Sequence, residues 1–249
     1  MLAAALGGAI NSIAGGGTLL TYPAIVGLGI APLVANATST VALWPSAVGS
    51  MWGYRKELAG ADWWVRRFAL PSLLGGAAGA WLLLHTSAAR FEHIVPFLVL
   101  GATCLFMVQG PVMTRVKARR PAVPGGGDPR PDRQVPFFLY QFGVGVYGGY
   151  FGAGIGIMML AVLGLLGFSN IHRMNGLKLW GGACMNAVAA LMFMSSDLVN
   201  WPVALAMAVG GLLGGYGGSR LAQRIGQQPV RRAIVVIGFS AFLWLLLRN

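Results

Sequence analysis

The 249 residues are 56% hydrophobic and only 10% charged, with a mean hydropathy of +0.69. A water-soluble domain of this length carries about a quarter charged residues, so that class is excluded and the chain reads as an integral membrane protein. The net charge of +12 comes from 18 Lys and Arg against 6 Asp and Glu. Those basic residues sit in short polar loops, as the positive-inside rule requires, and no nucleic-acid partner is expected.

Apolar segments run over residues 2–29, 33–54, 68–85, 91–113, 137–167, 173–194, 202–222 and 231–248. They predict an all-α polytopic membrane protein of eight apolar segments. The start MLAAALGGAI has no basic n-region and does not read as a cleaved signal peptide. The first segment contains GAINSIAGGGTLLTYP (8–23), where three glycines and an asparagine interrupt the apolar run. Glycine weakens a helix interior by roughly 1 kcal/mol relative to alanine, so the run predicts a break. The helix before Gly15 would be roughly 21 Å long, short of a ~30 Å hydrocarbon core. The second segment carries NATSTVALWP (36–45). After the fourth comes TRVKARRPAVPGGGDPRPDRQVP, a Pro-, Gly- and Arg-rich linker over 114–136 that separates a first membrane repeat (1–113) from a second (137–249). The fifth segment breaks at Gly152-Ala153-Gly154, and the sixth carries HRMNGLKLWGGACMN (172–186). In the seventh, Gly211/Gly215 and Gly214/Gly218 predict close helix packing within the monomer. Trp63, Trp64 and Trp201, at segment boundaries, read as interfacial anchors.

The two halves resemble each other. Gly15-Gly16-Gly17 corresponds to Gly152-Ala153-Gly154 at an offset of 137. A two-residue insertion then moves the offset to 139, placing Asn36 on Asn175 and LLGGAAGAWL (73–82) on LLGGYGGSRL (212–221). Internal duplication of this kind is the usual architecture of a secondary transporter.

Charge decides the expected topology. Basic residues cluster at Arg55, Lys56, Arg66 and Arg67; at Arg115, Lys117, Arg119, Arg120, Arg130 and Arg133; and at Arg220, Arg224, Arg231 and Arg232. If all eight segments crossed, the third cluster would lie opposite the first two, against the positive-inside rule. If segments 2–29 and 137–167 instead re-enter, all three clusters share one side with Arg173 and Lys178, and only Arg90 and Arg248 remain on the other. Each half then has three full crossings. An odd number makes the two repeats inverted, with residue 200 outside and residue 226 inside.

Non-helical backbone at membrane depth is tolerated only where it is buried in protein or lines a wet cavity, so two opposed breaks point to a site at the midplane. Free N–H groups at a half-helix N-terminus suit an anion. Asn11, Ser12, Thr18 and Thr21 surround the first break; Tyr147 and Tyr150 flank the second, which includes Gly154. The competing reading is that these glycines only allow tight helix packing. Asn36, Ser39 and Thr40 share a helix face, as do Asn175, Lys178 and Asn186. Lys178 has no acidic residue in its segment to pair with. It either snorkels to the basic boundary or faces a cavity holding an anion. All six acidic residues fall in loops or at segment ends, which disfavours a cation site and a carboxylate-based proton relay. Facilitated anion transport, or transport of an anion that itself carries the proton, fits better.

Several patterns carry no chemistry. Gly143-Val-Gly145-Val-Tyr-Gly148 lacks a βαβ context, and the acceptor triplet Asn36-Ala-Thr38 would be embedded. Cys104 and Cys184 read as packing residues, and no metal or cofactor is expected.

The stretches GGGTLLTYPAIVGLGIAPLVANATSTVALWPSAVGSMWGYRK (15–56) and GAGIGIMMLAVLGLLGFSNIHRMNGLKLWGGACMNAVAALMF (152–193) resemble the paired glycine motifs and Asn-bearing helices of the sulfite exporter TauE/SafE family. The resemblance covers nearly the whole chain apart from the linker. It implies export of sulfite, a related organosulfur anion or a short carboxylate across the bacterial inner membrane. On the matching positions it implies a substrate site of Asn11, Gly16, Gly17, Thr18, Asn36, Thr38 and Ser39 from one half, and Asn175, Lys178 and Asn186 from the other. The chain departs from the pattern in having Gly-Ala-Gly in the second half and a very short N-terminus. The resulting expectation is an alternating-access anion transporter with no catalytic role, contacting membrane lipid; oligomeric state is left open. The rival expectation is a non-transporting scaffold or a membrane subunit of an enzyme complex.

Overall fold

The structure is a computed structural model that describes residues 1–13, 15–119, 128–129, 134–168, 170–225 and 227–248. Arg120, Arg130, Asp132, Arg133 and position 226 lie outside the described residues, as do the side chains of Lys117, Arg119, Arg220 and Arg224. Among the described residues there are eleven helices: α1 Leu2–Ile13, α2 Thr18–Gly27, α3 Pro32–Gly53, α4 Arg55–Leu58, α5 Asp62–Leu84, α6 Ala88–Arg119, α7 Gln134–Tyr150, α8 Ile155–Leu165, α9 Ile171–Met194, α10 Trp201–Ile225 and α11 Gln227–Arg248.

Each apolar segment forms one helix except the two glycine-broken ones, which form two each. Two helices start on local chemistry that the sequence supplies. Pro32 opens α3, where its fixed φ suits the first helical position. At α9, the Asn170 side chain accepts from the backbone N–H groups of His172 and Arg173. Among the described residues, four stretches are long and apolar enough to cross a membrane: Asp62–Leu84, Ala88–Pro111, Ile171–Met194 and Val230–Arg248. α3 has the length but not the apolarity. It is an interior helix that buries Asn36, Thr38, Ser39, Ser46 and Ser50. α6 runs beyond the predicted end at 113, to Arg119.

Both breaks are turns that need glycine. Gly15 has φ +82 and Gly152 has φ +81, the left-handed region that L side chains avoid. The Gly15 N–H bonds back to the Ile10 carbonyl and the Gly152 N–H to the Tyr147 carbonyl, the same closure at the same offset of 137. Beyond the turn the chain doubles back. Gly17 rests on the Gly7 carbonyl and on the β-carbon of Asn11, while the Tyr140 hydroxyl donates to the Met158 carbonyl at 2.9 Å. Each broken segment is therefore a hairpin that returns towards the side it left.

The halves interlock. α1 packs on α10 as α7 packs on α5, and α3 packs on α10 as α9 packs on α5. Gly75 of α5 lies against the Phe142 carbonyl, and Gly214 of α10 against the Ala5 carbonyl, equivalent positions at the repeat offsets. α6 meets α11, its counterpart, in antiparallel fashion: Thr103 beside Gly238, Gly110 beside Arg231. Counterparts that pair antiparallel across the repeat axis make the topology inverted. Gly211 and Gly215 face Ser46 of α3 and Gly8 of α1, so these glycines serve packing inside the monomer.

The packing also sorts charge. Arg55 and Lys56, Arg66 and Arg67, Arg173 and Arg231 gather at one end of the bundle, while Arg90 and Arg248 sit at the other. There the Arg248 guanidinium donates to the Val26 carbonyl at the end of α2. One expectation is corrected. Trp64 is not an interfacial anchor but fully buried, its indole N–H donating to the Pro129 carbonyl at 3.0 Å, with Trp63, Phe68, Phe137 and Phe168 around it. The linker residue Pro129 provides the acceptor, and that long-range contact has no signal in the local sequence.

Candidate functional site

The two hairpin tips meet. Gly15 of the first lies against Gly156 of the second, where a β-carbon on Gly15 would stand 3.2 Å from the Gly156 Cα. Beside this contact a cavity of about 40 Å³ opens between the tips, α3 and α9. Its polar lining is Asn11, Thr18, Thr40, Lys178 and Asn186; Gly15, Gly152, Gly156 and Gly182 bring backbone to its wall. Phe151, Ile155 and Met159 close the second-repeat side.

Depth follows from helix position. Lys178 lies seven residues into α9, roughly 10 Å from its start at 1.5 Å per residue, and Asn186 roughly 12 Å further on. Thr40 lies roughly 12 Å along α3, which runs in from the other end. The cavity is therefore central in the bundle.

Lys178 dominates its electrostatics. The side chain is only 3% exposed, and its Nζ has no hydrogen-bond partner. Among the described residues no acidic side chain lines the cavity. Two short helices begin at the same place: Thr18 is the first residue of α2, and Ile155 and Gly156 are the first two of α8. Their amide ends carry partial positive charge. A lysine side chain and two helix N-termini around a small void have the chemistry that suits an anion.

Of the expected site residues, the structure brings Asn11, Thr18, Lys178 and Asn186 together. The others lie elsewhere. Gly16 packs under the Phe106 ring, Gly17 on the Gly7 carbonyl, and Gly154 (φ +83, capping α8) towards Ala102 and Leu105. Asn36 donates to the Tyr150 carbonyl at 2.9 Å, tying α3 to the other repeat's break. Thr38 accepts from the Asn200 N–H at 3.0 Å, and Ser39 pairs with Thr21 at 2.7 Å. Asn175 is buried with its side-chain oxygen unpartnered but does not reach the cavity. Ser12 bonds to Ser50 and to the Gly215 carbonyl. Sequence reasoning missed Gly15, Gly152 and Gly156 as wall residues, although the offset of 137 singles out the first two. Thr40, noted only for the face it shares, lines the cavity with its hydroxyl turned back on the Asn36 carbonyl at 3.1 Å.

A second, wider cavity of about 510 Å³ opens at the basic end, around Lys56, Trp64, Asp128, Asn170 and Arg173. Arg173 is paired with Asp128 at 2.6 Å and also donates to the Glu57 and Ala59 carbonyls. It is a structural clamp between α9, the α4 loop and the linker.

Comparison with known proteins follows the same lines. A family model described as sulfite exporter TauE/SafE matches residues 1–245. The chain is 31% identical to the probable membrane transporter protein YfcA of Escherichia coli strain K12, over 94% of this chain and 83% of that one. It is 28% identical to a probable membrane transporter protein of Haemophilus influenzae, over 92% and 86% of the two chains. It is also 28% identical to the probable membrane transporter protein ORF9 of Sinorhizobium sp, over 98% and 90%. No solved structure matches the chain significantly.

Proposed function

The chain belongs to the sulfite exporter TauE/SafE family and is a membrane transporter, and from that premise we propose that it exports a small oxyanion bound beside Lys178. The substrate class is sulfite, a short organosulfur anion or a short carboxylate. The observation that carries this reading is the Lys178 side chain, buried without a hydrogen-bond partner on the wall of a central cavity. An unpaired charge at membrane depth costs roughly 3 kcal/mol on insertion scales, and a bound anion offsets that cost. Asn11, Thr18 and Asn186 supply hydrogen-bond donors, and the starts of α2 and α8 supply backbone N–H groups.

Size supports the same class. At roughly 15 Å³ per water, the cavity of about 40 Å³ holds two or three waters, which suits a compact oxyanion head and not a bulky solute. The inverted repeats supply the second state that alternating access needs: exchanging the conformations of the two halves opens the site to the opposite side. We assign the basic end to the cytoplasmic face of a bacterial inner membrane, a reading the positive-inside rule supports for the orientation.

Purified protein in liposomes tests the proposal. Sulfite or a short sulfonate should move at least tenfold faster than in empty vesicles, and Lys178→Ala should remove that advantage. Equal flux with and without protein, or an unaltered Lys178→Ala flux, would sink it.

A further inference from the structure

The lysine that marks the site has no fixed counter-charge, and this bears on what else moves with the anion. Every element packed around the cavity contributes to its wall: Asn11 from α1, Thr18 from α2, Thr40 from α3, Ile155 and Met159 from α8, Asn186 from α9 itself. None of these titrates. Phe151 at the end of α7 does not titrate either. Of the acidic residues packed on α9, Glu57 of α4 lies against Gly176 and Asp128 is paired with Arg173, and both belong to the wider cavity at the basic end. Lys178 is thus the one titratable side chain on the cavity wall among the described residues.

We propose that Lys178 is the carrier's proton-coupling site: its amine takes up a proton when the anion binds and gives it back when the anion leaves. This rests on the anion-site reading above. The physical ground is the contrast between the two states of the cavity. Loaded, the ammonium has an anion against it and helix N-termini completing the anion's shell. Empty, the same ammonium would have no carboxylate on the cavity wall and no protein hydrogen bond. Charge is therefore admitted to the bundle as a pair. In the loading step the lone pair of Nζ accepts one proton from the aqueous phase, giving –NH3⁺ beside the anion. In the release step that N–H bond breaks and the proton returns to the aqueous phase on the far side. A monoanion then crosses with no net charge, and the empty carrier resets uncharged. The proton rides on the protein, so an anion that cannot itself be protonated is still cotransported with one.

Methanesulfonate, fully ionised throughout the neutral range, is the diagnostic probe, with sulfite beside it. Calorimetric titration of the purified protein in buffers of different ionisation enthalpy counts protons taken up per anion bound. On the alkaline side of the empty carrier's own amine titration, wild type should take up close to one, and its apparent affinity should fall about tenfold per pH unit as pH rises further. K178R, charged at every accessible pH, should take up one fewer proton than wild type with either probe and lose the pH slope. In liposomes, wild-type methanesulfonate flux should alkalinise the compartment it leaves and be indifferent to membrane potential. The wild-type proton count stands without any variant, and Asn186→Ala, which weakens binding but keeps the lysine, should leave it at one. Anion flux with no proton uptake, or equal uptake in wild type and K178R, overturns the coupling while leaving the carrier intact. Absence of flux and binding for every probe overturns the carrier reading, and the coupling falls with it.

Discussion

Ser39 of α3 and Lys178 of α9 occupy equivalent positions in the two repeats, separated by the offset of 139. Ser39 is closed off, its hydroxyl bonded to Thr21 at 2.7 Å, whereas Lys178 stands unpartnered on the cavity wall. The same contrast recurs around the site. Asn11 corresponds to Gly148, Thr18 to Ile155, and Asn186 to Ala47. The frame is symmetric and the chemistry is not: the polar groups that meet in the cavity are the positions where the repeats have diverged. A membrane carrier gains from this division, since a symmetric frame supplies two equivalent end states while a set of polar groups that the repeat does not duplicate fixes where a single small anion sits.

The largest expected effects come from breaking the symmetric part. Gly75 and Gly214 bring helix backbones into contact at equivalent places, and a side chain there meets carbonyl groups that cannot move aside. Gly75→Val and Gly214→Val should each cost about 3 kcal/mol or more, seen as loss of the cooperative melt in detergent. Gly101→Ala, where an added β-carbon has nothing within 4 Å, is the control that should melt like wild type. If Gly75→Val and Gly214→Val differ widely, the frame is less symmetric than the packing indicates.

Replacing the divergent lysine should separate stability from transport. Lys178→Met removes a buried amine with no hydrogen-bond partner and keeps much of its volume, so the empty protein should gain about 1–3 kcal/mol while anion flux collapses. Ser39→Ala, at the equivalent position, should do the reverse. It removes the bond between Ser39 and Thr21, whose hydroxyl keeps the Gly17 carbonyl, and costs about 1 kcal/mol with flux largely retained. Thermal melts and flux measured on the same preparations decide the matter; parallel losses in both variants would show that the two positions play one role.

The ends of the bundle differ as well. At the basic end Arg173 clamps Asp128 and two carbonyls of the α4 loop, and its repeat counterpart, Val34, has no such capacity. The ion pair is 15% and 25% exposed at its two side chains, so solvent discounts it, and Arg173→Gln should cost about 1–2 kcal/mol, less at high salt.

How much of this is legible in the sequence depends on the range of the interaction. The breaks, the repeat offsets and the sorting of basic residues are local or periodic signals, and the glycines and arginines announce them. Lys178 is legible too, because an unpaired cation in an apolar run is rare. Which glycines face the cavity is not legible. Gly15, Gly16 and Gly17 are chemically identical, and only the left-handed turn at Gly15 decides that it meets Gly156 while Gly16 meets Phe106. The same holds for Asn36 and Asn175. Their equivalence is plain in the sequence, yet one reaches across to Tyr150, and neither lines the cavity. The Trp64–Pro129 contact joins residues 65 apart in the chain, and no pattern in either segment encodes it.

The smallest effect tests the asymmetry most directly. Ala47 and Asn186 are repeat counterparts, and both line the cavity. Asn186→Ala removes one hydrogen bond from a neutral donor to the anion, and with water able to take its place the loss is about 1 kcal/mol, so KM should rise roughly fivefold with little change in melting. The double variant Ala47→Asn with Asn186→Ala puts an amide back on the opposite wall. If the cavity only needed an amide somewhere, KM would recover. Lys178 and Asn186 both project from α9, and the ammonium holds the anion on that side of the void; an amide on α3 cannot take over the lost bond, and KM should stay high. Recovery in the double variant would mean that the anion has no preferred wall, and the site would then be as symmetric as its frame.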